Sequence, residues 1–227
     1  MRSLGACLCL TIVLTGCAGR PQPVPTPVPA RHHVPVILVH GIDDGPGSMR
    51  PLHDRLLAAG FAHVEAVDLR PNNGDVSLVE LAAQVDGMAR DVVRRTGSPR
   101  VDVVGFSMGA LVARTWLQKL RGCEHTRRYV SISGPHHGTL TAFGRLNTGA
   151  AEMRPGSALL RELSTSDRVC PGTEVHAFYT PLDLMIVPAT SSELPGARHR
   201  TFPVALHPWM ITDPRVLDAV EETLAAP

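Results

Sequence analysis

Residues 101–109 read Val-Asp-Val-Val-Gly-Phe-Ser-Met-Gly, and the chain continues as Ala-Leu-Val-Ala-Arg-Thr-Trp-Leu. The first four residues are typical of a buried strand, and the last eight have helical spacing. The Gly-x-Ser-x-Gly pattern between them predicts a sharp turn with Ser107 at its tip. Such a turn holds the serine in a sparsely populated backbone conformation, and side chains at Gly105 or Gly109 would clash where strand and helix meet. We therefore expect Ser107 to be a nucleophile whose hydroxyl faces a substrate.

The pattern Gly-x-Ser-x-Gly alone is weak, because it arises by chance in about one chain in ten of this length. The alternative is an accidental glycine turn. The strand before the motif and the helix after it favour the nucleophile.

The remainder of the domain alternates short apolar runs with amphipathic segments. Strands are predicted at 36–39, 64–69, 101–104, 128–133, 175–180 and 200–204, and helices at 48–60, 77–95, after the turn, and at 213–224. Strands separated by helices predict an α/β fold with a mainly parallel central sheet and helices on both faces. Ligands bind such sheets at the carboxyl ends of the strands, where Ser107 lies. The helix at 77–95 is expected to begin with a Ser77/Glu80 capping box.

His40-Gly41-Ile42 directly follows the first strand, at the same edge of the sheet. Acyl transfer needs two backbone N–H groups directed at the developing oxyanion, and one comes from the residue after the nucleophile, here Met108. We expect the second from Ile42. Gly41 allows close approach of the backbone to the substrate, and His40 is expected to order the loop. An ordinary glycine between strand and loop is the alternative.

A serine nucleophile needs a base, and the base needs an orienting carboxylate, in chain order Ser, Asp, His for this type of turn. Asp183 and His207 each follow a predicted strand, so both are expected at the carboxyl edge with Ser107. An aspartate that only fixes a turn and a surface histidine are the alternatives. His199 precedes its predicted strand and is expected at the opposite edge, while Asp213 is expected to cap the last helix.

The amino terminus begins with Met1-Arg2, an apolar run over 4–14 that is too short for a permanent membrane helix, and then Leu-Thr-Gly-Cys17. This arrangement resembles a bacterial lipoprotein signal, which implies cleavage before Cys17 and lipidation of its thiol. An ordinary secretory signal is the alternative.

Three regions are therefore expected: a signal peptide at 1–16, lipidated Cys17 with a proline-rich tether at 17–33, and one catalytic domain at 34–227. The protein is expected to be exported and anchored on a membrane, at the outer membrane or periplasmic face if the cell is Gram-negative, with secretion as the alternative.

Composition excludes some functions. A net charge of +1 and 4% aromatic residues indicate no nucleic-acid surface. Cys123 and Cys170 are the cysteines left beyond the amino-terminal region, and an exported domain favours a disulfide between them over two free buried thiols. No metal site is predicted, because neither CxxC nor HxxxH spacing occurs.

Five motifs together resemble the small secreted bacterial lipases of the α/β-hydrolase superfamily. They are Val-His-Gly-Ile at 39–42, Gly-Phe-Ser-Met-Gly at 105–109, Gly-Pro-His-His-Gly-Thr at 134–139, Leu-Asp-Leu-Met-Ile-Val at 182–187 and Leu-His-Pro at 206–208. The resemblance implies a triad of Ser107, Asp183 and His207, oxyanion donors at Ile42 and Met108, no cofactor, and ester substrates with acyl chains.

The same resemblance places His40, Gly41, Phe106 and His137 around the substrate cleft. Phe106 stands where these lipases usually have histidine, which bears on substrate preference but removes no triad atom. The segment 141–171 has room for a short helix but is too short for a large hinged lid, so a minimal lid or none is expected.

The predicted function is hydrolysis of carboxylic esters, as a lipase or carboxylesterase, through an acyl-enzyme. The expected partners are an ester or lipid substrate and the anchoring membrane, and the chain is expected to be a monomer. The alternatives are a thioesterase, acyltransferase or polyester depolymerase on the same fold, and a non-catalytic lipoprotein that uses the scaffold to bind a partner.

Overall fold

A computed structural model describes residues 30–227, so the predictions for the signal peptide, for Cys17 and for most of the tether lie outside the described residues. The strands are Val36–Val39 (β1), Val64–Val67 (β2), Val101–Phe106 (β3), Thr126–Ile132 (β4), Glu174–Tyr179 (β5) and Arg198–Thr201 (β6). The helices are Arg50–Ala58 (α1), Leu78–Thr96 (α2), Met108–Lys119 (α3), Thr148–Glu152 (α4), Ala158–Leu163 (α5) and Pro214–Ala225 (α6).

The six strands form one parallel sheet in the order β2-β1-β3-β4-β5-β6. From β1 the chain runs outward to β2 and returns to β3 on the other side of β1, so the loops after β1 and β3 leave in opposite directions. Such a switch point opens a crevice at the carboxyl ends of the strands. The predicted α/β-hydrolase fold with a parallel central sheet is confirmed.

Each face of the sheet carries its own apolar core. Ile37 and Val39 of β1 pack into the core that contains α2, α3 and α5, whereas Val36 and Leu38 pack into the core that contains α1 and α6. Alternate residues of a strand point to opposite faces. A continuous apolar strand therefore indicates helices on both faces, as predicted.

The edge strand β6 differs from its prediction. It begins at Arg198, so His199 lies inside the strand, opposite Ala177, and not before it. All four residues of β6 are exposed. Because none of its side chains is buried, the strand has no apolar pattern in the sequence. The prediction of 200–204 relied on the apolar residues Phe202 and Val204, which lie just beyond the end of the strand.

The cap of α2 also differs in part. Ser77 is the N-cap as predicted, but its Oγ accepts the Val79 N–H at 3.1 Å and not that of Glu80, and the acidic partner is Glu152 of α4. Glu152 accepts the Leu78 N–H at 2.6 Å. A contact between distant segments thus replaces the local one. Asp213 caps α6 as predicted.

The segment between β4 and β5 contains the short helices α4 and α5 and a 3₁₀ helix at Leu140–Gly144. Cys123 and Cys170, which are 47 residues apart in the sequence, form a disulfide with their Cα atoms 5.6 Å apart. The crosslink ties the end of this segment to the turn after α3, which limits the freedom of the unfolded chain. Within residues 30–227, no helix is both long and apolar enough to cross a bilayer.

Candidate active site

Ser107 lies at the turn between β3 and α3 with φ 54° and ψ −126°, a backbone conformation that residues other than glycine rarely adopt. A Cβ added at Gly105 would lie 2.5 Å from Ala110 Cα, and one at Gly109 would collide with the carbonyl oxygens at the end of β1. Both glycines are therefore required by the close approach of strand and helix. The turn leaves Ser107 lining the crevice at the switch point.

Asp183 and His207 are brought together across the loops after β5 and β6. Asp183 Oδ2 lies 2.7 Å from His207 Nδ1, and Asp183 Oδ1 accepts the N–H groups of Met185 and Ile186, each at 2.9 Å. One oxygen thus fixes the turn while the other orients the imidazole. The two roles, treated as alternatives on sequence grounds, coexist in one carboxylate.

The charge of Asp183 follows from these contacts. Burial opposes ionisation, but the hydrogen bond and charge of His207, together with the two N–H donors, lower the pKa of this carboxyl below its usual value. An ionised Asp183 can only accept, so His207 Nδ1–H donates this hydrogen bond, and in the neutral imidazole the lone pair is then on Nε2.

His207 Nε2 is buried and has no hydrogen-bond partner among residues 30–227. The imidazole packs against Phe106 with ring centroids 4.9 Å apart, and it lines the same cavity as Ser107. Ser107 Oγ and His207 Nε2 make no hydrogen bond in this structure. Bonds of this kind are often long until a substrate binds.

The backbone N–H groups of Ile42 and Met108 also lack hydrogen-bond partners within the described part of the chain. A Cβ added at Gly41 would lie 3.2 Å from Cβ of Ser107, so the loop after β1 contacts the serine directly. Ile42 also lines both cavities beside Ser107, whereas Met108 is fully buried and lines neither, so the oxyanion roles of the two N–H groups stay predictions.

The two histidines predicted at the cleft lie elsewhere. His40 is fully buried, with Nδ1 2.9 Å from the Gly41 carbonyl and Nε2 accepting the Leu69 N–H at 3.1 Å, so it fixes the loop and lines neither cavity beside Ser107. His137 is exposed and lines neither cavity beside Ser107. Its neighbour His136 takes the buried position instead, 2.7 Å from Ser131 Oγ. Two adjacent histidines in a tight turn cannot both point inward.

Two cavities flank Ser107, and Ile42 and Met185 line both. The first, of 170 Å³, is called the β4 half and is also lined by apolar Pro135, Ala142, Ala150, Met153 and Ile186 and by polar Asp43, Thr139, Thr141 and Arg145. The second, of 340 Å³, is called the histidine half and is also lined by Asp44, Phe106, Leu184, Ala205, Leu206, His207 and Pro208. The cleft thus extends in two directions from the serine.

Asp44 was missed by the sequence analysis, although it follows β1 in the same polar loop as Gly41. Burial raises the pKa of this carboxyl, although the nearby imidazoles of His40 and His207 counteract part of the effect. It is a half-buried acid beside the predicted base.

The opening of the cleft is apolar. Nine large apolar side chains are exposed among residues 30–227. One of them, Leu57, lies in α1, and the other eight lie in the segments after β4, β5 and β6. The others are Leu140, Phe143, Leu146, Leu182, Leu184, Met185, Leu206 and Trp209. Several of these residues line or adjoin the two cavities. Clustered exposed apolar side chains of this kind mark binding surfaces.

Comparison with known proteins identifies relatives of this chain. The sequence model of the family described as "Palmitoyl protein thioesterase" matches residues 35–168. Palmitoyl-protein thioesterase 3 of Dictyostelium discoideum is 27% identical over 110 residues, which are 46% of this chain and 36% of that protein. The match thus spans about a third of that curated relative.

Solved structures of lipases and esterases share the fold. Lipase B of Aspergillus fumigatus superposes with a TM-score of 0.74 at 16% identity, over 85% of this chain and 52% of that one. The mature lipase BlEst2 of Bacillus licheniformis gives 0.71 at 15% identity, over 90% and 96%. Esterase Pf2001 of Pyrococcus furiosus gives 0.63 at 19% identity, over 85% and 82%.

Proposed function

Since the chain belongs to the palmitoyl protein thioesterase family, we propose that it is a serine hydrolase that removes acyl groups from carboxylic esters or thioesters. One observation carries the proposal. An ionised, buried Asp183 holds His207 at 2.7 Å, so that the unpartnered Nε2 lies in the cavity that Ser107 lines.

The proposed reaction has two steps. His207 Nε2 takes the proton of Ser107 as the serine oxygen attacks the acyl carbon, and Asp183 stabilises the imidazolium. The N–H groups of Ile42 and Met108 stabilise the oxyanion. His207 then protonates the leaving atom, and a water molecule, activated by the same imidazole, releases the acid from the acyl-enzyme.

This reaction implies which half of the cleft binds the leaving group and which binds the acyl chain. The leaving atom must come within hydrogen-bond reach of His207 Nε2, so the leaving group occupies the histidine half. The acyl chain then extends into the β4 half, a cavity of 170 Å³ where apolar side chains such as Ala142, Ala150 and Met153 would contact it. The exposed apolar residues at the opening would contact any longer chain.

Oxygen esters and thioesters are the two candidate substrate classes. The site favours neither, because both react through the same tetrahedral oxyanion. The family match favours thioesters. A thiol, with a pKa of about 8.5, also leaves more readily than an alcohol and demands less of the histidine as an acid.

Matched substrates distinguish the two classes. Oxygen esters and thioesters of the same acetyl, butyryl, octanoyl and palmitoyl groups should be hydrolysed by the full chain, and the ratio of kcat/KM between the classes identifies the preferred bond. Folded protein that hydrolyses none of the eight substrates above the rate of a Ser107→Ala blank would refute the proposal.

We further propose that Cys17 carries a lipid anchor, on the basis of the Leu-Thr-Gly-Cys motif at 14–17. A bacterial host fed an alkyne-tagged fatty acid should incorporate the tag into the unmodified chain and not into Cys17→Ser, with Cys7→Ser as the matched control. Equal labelling of all three chains, or none of the unmodified chain, would contradict the anchor.

A further inference from the structure

Asp44 is the one carboxylate in the histidine half of the cleft. Apart from Asp44, Ser107 and His207, the described residues that line this half are apolar. No arginine or lysine forms a salt bridge with Asp44 among residues 30–227. Its neighbour Asp43, by contrast, is paired with Arg145. Asp44 therefore presents to this half a negative charge that no arginine or lysine of the described residues pairs with and that the nearby imidazoles of His40 and His207 offset only in part.

The carboxylate lies close to the reacting centre. A Cβ built on Gly41 would lie 3.0 Å from Asp44 Oδ2 and 3.2 Å from Cβ of Ser107, so the carboxylate and the serine both lie close to Gly41. The side-chain amide of Asn72 donates to the Asp44 carbonyl, which fixes the loop. The position of the charge relative to Ser107 is thus defined by the fold.

We infer that Asp44 selects the leaving group: its carboxylate disfavours anionic leaving groups in the histidine half and favours neutral or cationic ones. The inference rests on the proposed function, because it needs His207 to protonate the leaving atom. Two like charges in a partly desolvated, apolar cavity repel each other more strongly than they would in water. The substrate class is therefore an acyl ester or thioester of a neutral or amine-bearing alcohol or thiol, as opposed to a phosphate-bearing thiol.

Three matched substrates test the inference. They are butyryl esters of 3-hydroxybenzoate, its methyl ester, and 3-hydroxyphenyltrimethylammonium, whose leaving groups carry charges of −1, 0 and +1. The assays are run at pH 8, well above the ordinary aspartate pKa of about 3.9. In Asp44→Asn, kcat/KM for the anionic substrate relative to the neutral one should rise about 3- to 10-fold, and the cationic preference should fall.

The comparison of ratios removes effects common to all three substrates, including any effect of Asp44 on His207. The matched control is Asp54→Asn, which makes the same change of net charge on the exposed surface of α1. Its ratios should equal those of the unmodified chain. If Asp44→Asn does not fold, Asp44→Ser replaces it, and 1 M salt should weaken the discrimination by the unmodified chain without any substitution.

Ratios that stay within twofold in a folded Asp44 variant, an equal change in Asp54→Asn, or discrimination insensitive to salt would overturn the inference. The proposed function would still stand in each case, provided that the neutral ester is hydrolysed in a Ser107-dependent manner. Loss of that dependence would instead refute the proposed function.

Discussion

Replacing Ser107 by alanine should lower kcat on any accepted substrate by about 10⁴-fold or more, with little change in stability. The variant removes the only atom proposed to bond to the acyl group, so no acyl-enzyme can form. The oxyanion donors and the binding cleft remain, so a residual rate above that in water is expected. Initial rates, with thermal unfolding to verify folding, measure the effect.

Ser133→Ala is the matched control for Ser107→Ala. Ser133 follows the neighbouring strand β4, also has positive φ at 48°, and has a buried hydroxyl without a hydrogen-bond partner among the described residues. Its substitution should change kcat by only a few fold. Similar losses in the two variants would show that the backbone strain, and not the nucleophile, explains the effect.

Asp183→Asn should lower kcat by about 10⁴-fold. The amide oxygen of asparagine can still accept the N–H groups of Met185 and Ile186, so the turn is retained. The amide NH₂ group, however, would face His207 Nδ1 and favour the tautomer with the proton on Nε2, which cannot act as a base. Steady-state kinetics at neutral pH measure the loss.

Stability and pH provide a second readout for Asp183. Its pKa is lower in the folded chain than in the unfolded chain. Its contribution to stability is therefore fully present above the unfolded value of about 3.9 and is lost as pH falls through the folded value. Asp183→Asn should thus be less stable than the unmodified chain at neutral pH, and the difference should shrink in acid.

The control for this variant is Asp213→Asn, since Asp213 also accepts a backbone N–H but lies at the start of α6. It should retain normal kcat. An Asp183→Asn variant that is folded and retains more than a tenth of the original kcat would exclude Asp183 as the partner of the base.

The sequence was most informative where structure is local. The strand, turn and helix around Ser107 follow one another directly, so the two glycines, together with the strand before them and the helix after them, predicted Ser107 at the tip of the turn. Asp183 and His207 were placed by a further rule, because both follow strands of a parallel sheet and such ends share one edge.

The contacts that escaped prediction depend on segments distant in the chain. Glu152 replaces Glu80 in the α2 cap because α4 packs beside it, which no local spacing indicates. The exposed strand β6 lacks an apolar pattern. In the sequence, nothing distinguishes Asp44 from other loop aspartates. Its position becomes significant only because the loop after β6 places His207 in the same cavity.

Labelling with a fluorophosphonate tests most directly whether Ser107 is activated by the His207–Asp183 pair. Such a reagent phosphonylates an activated serine and displaces fluoride. We predict one adduct, located by peptide mass spectrometry on Ser107, in the unmodified chain, and strongly slowed labelling in Asp183→Asn. An adduct on another serine, or no adduct on folded protein, would contradict the account.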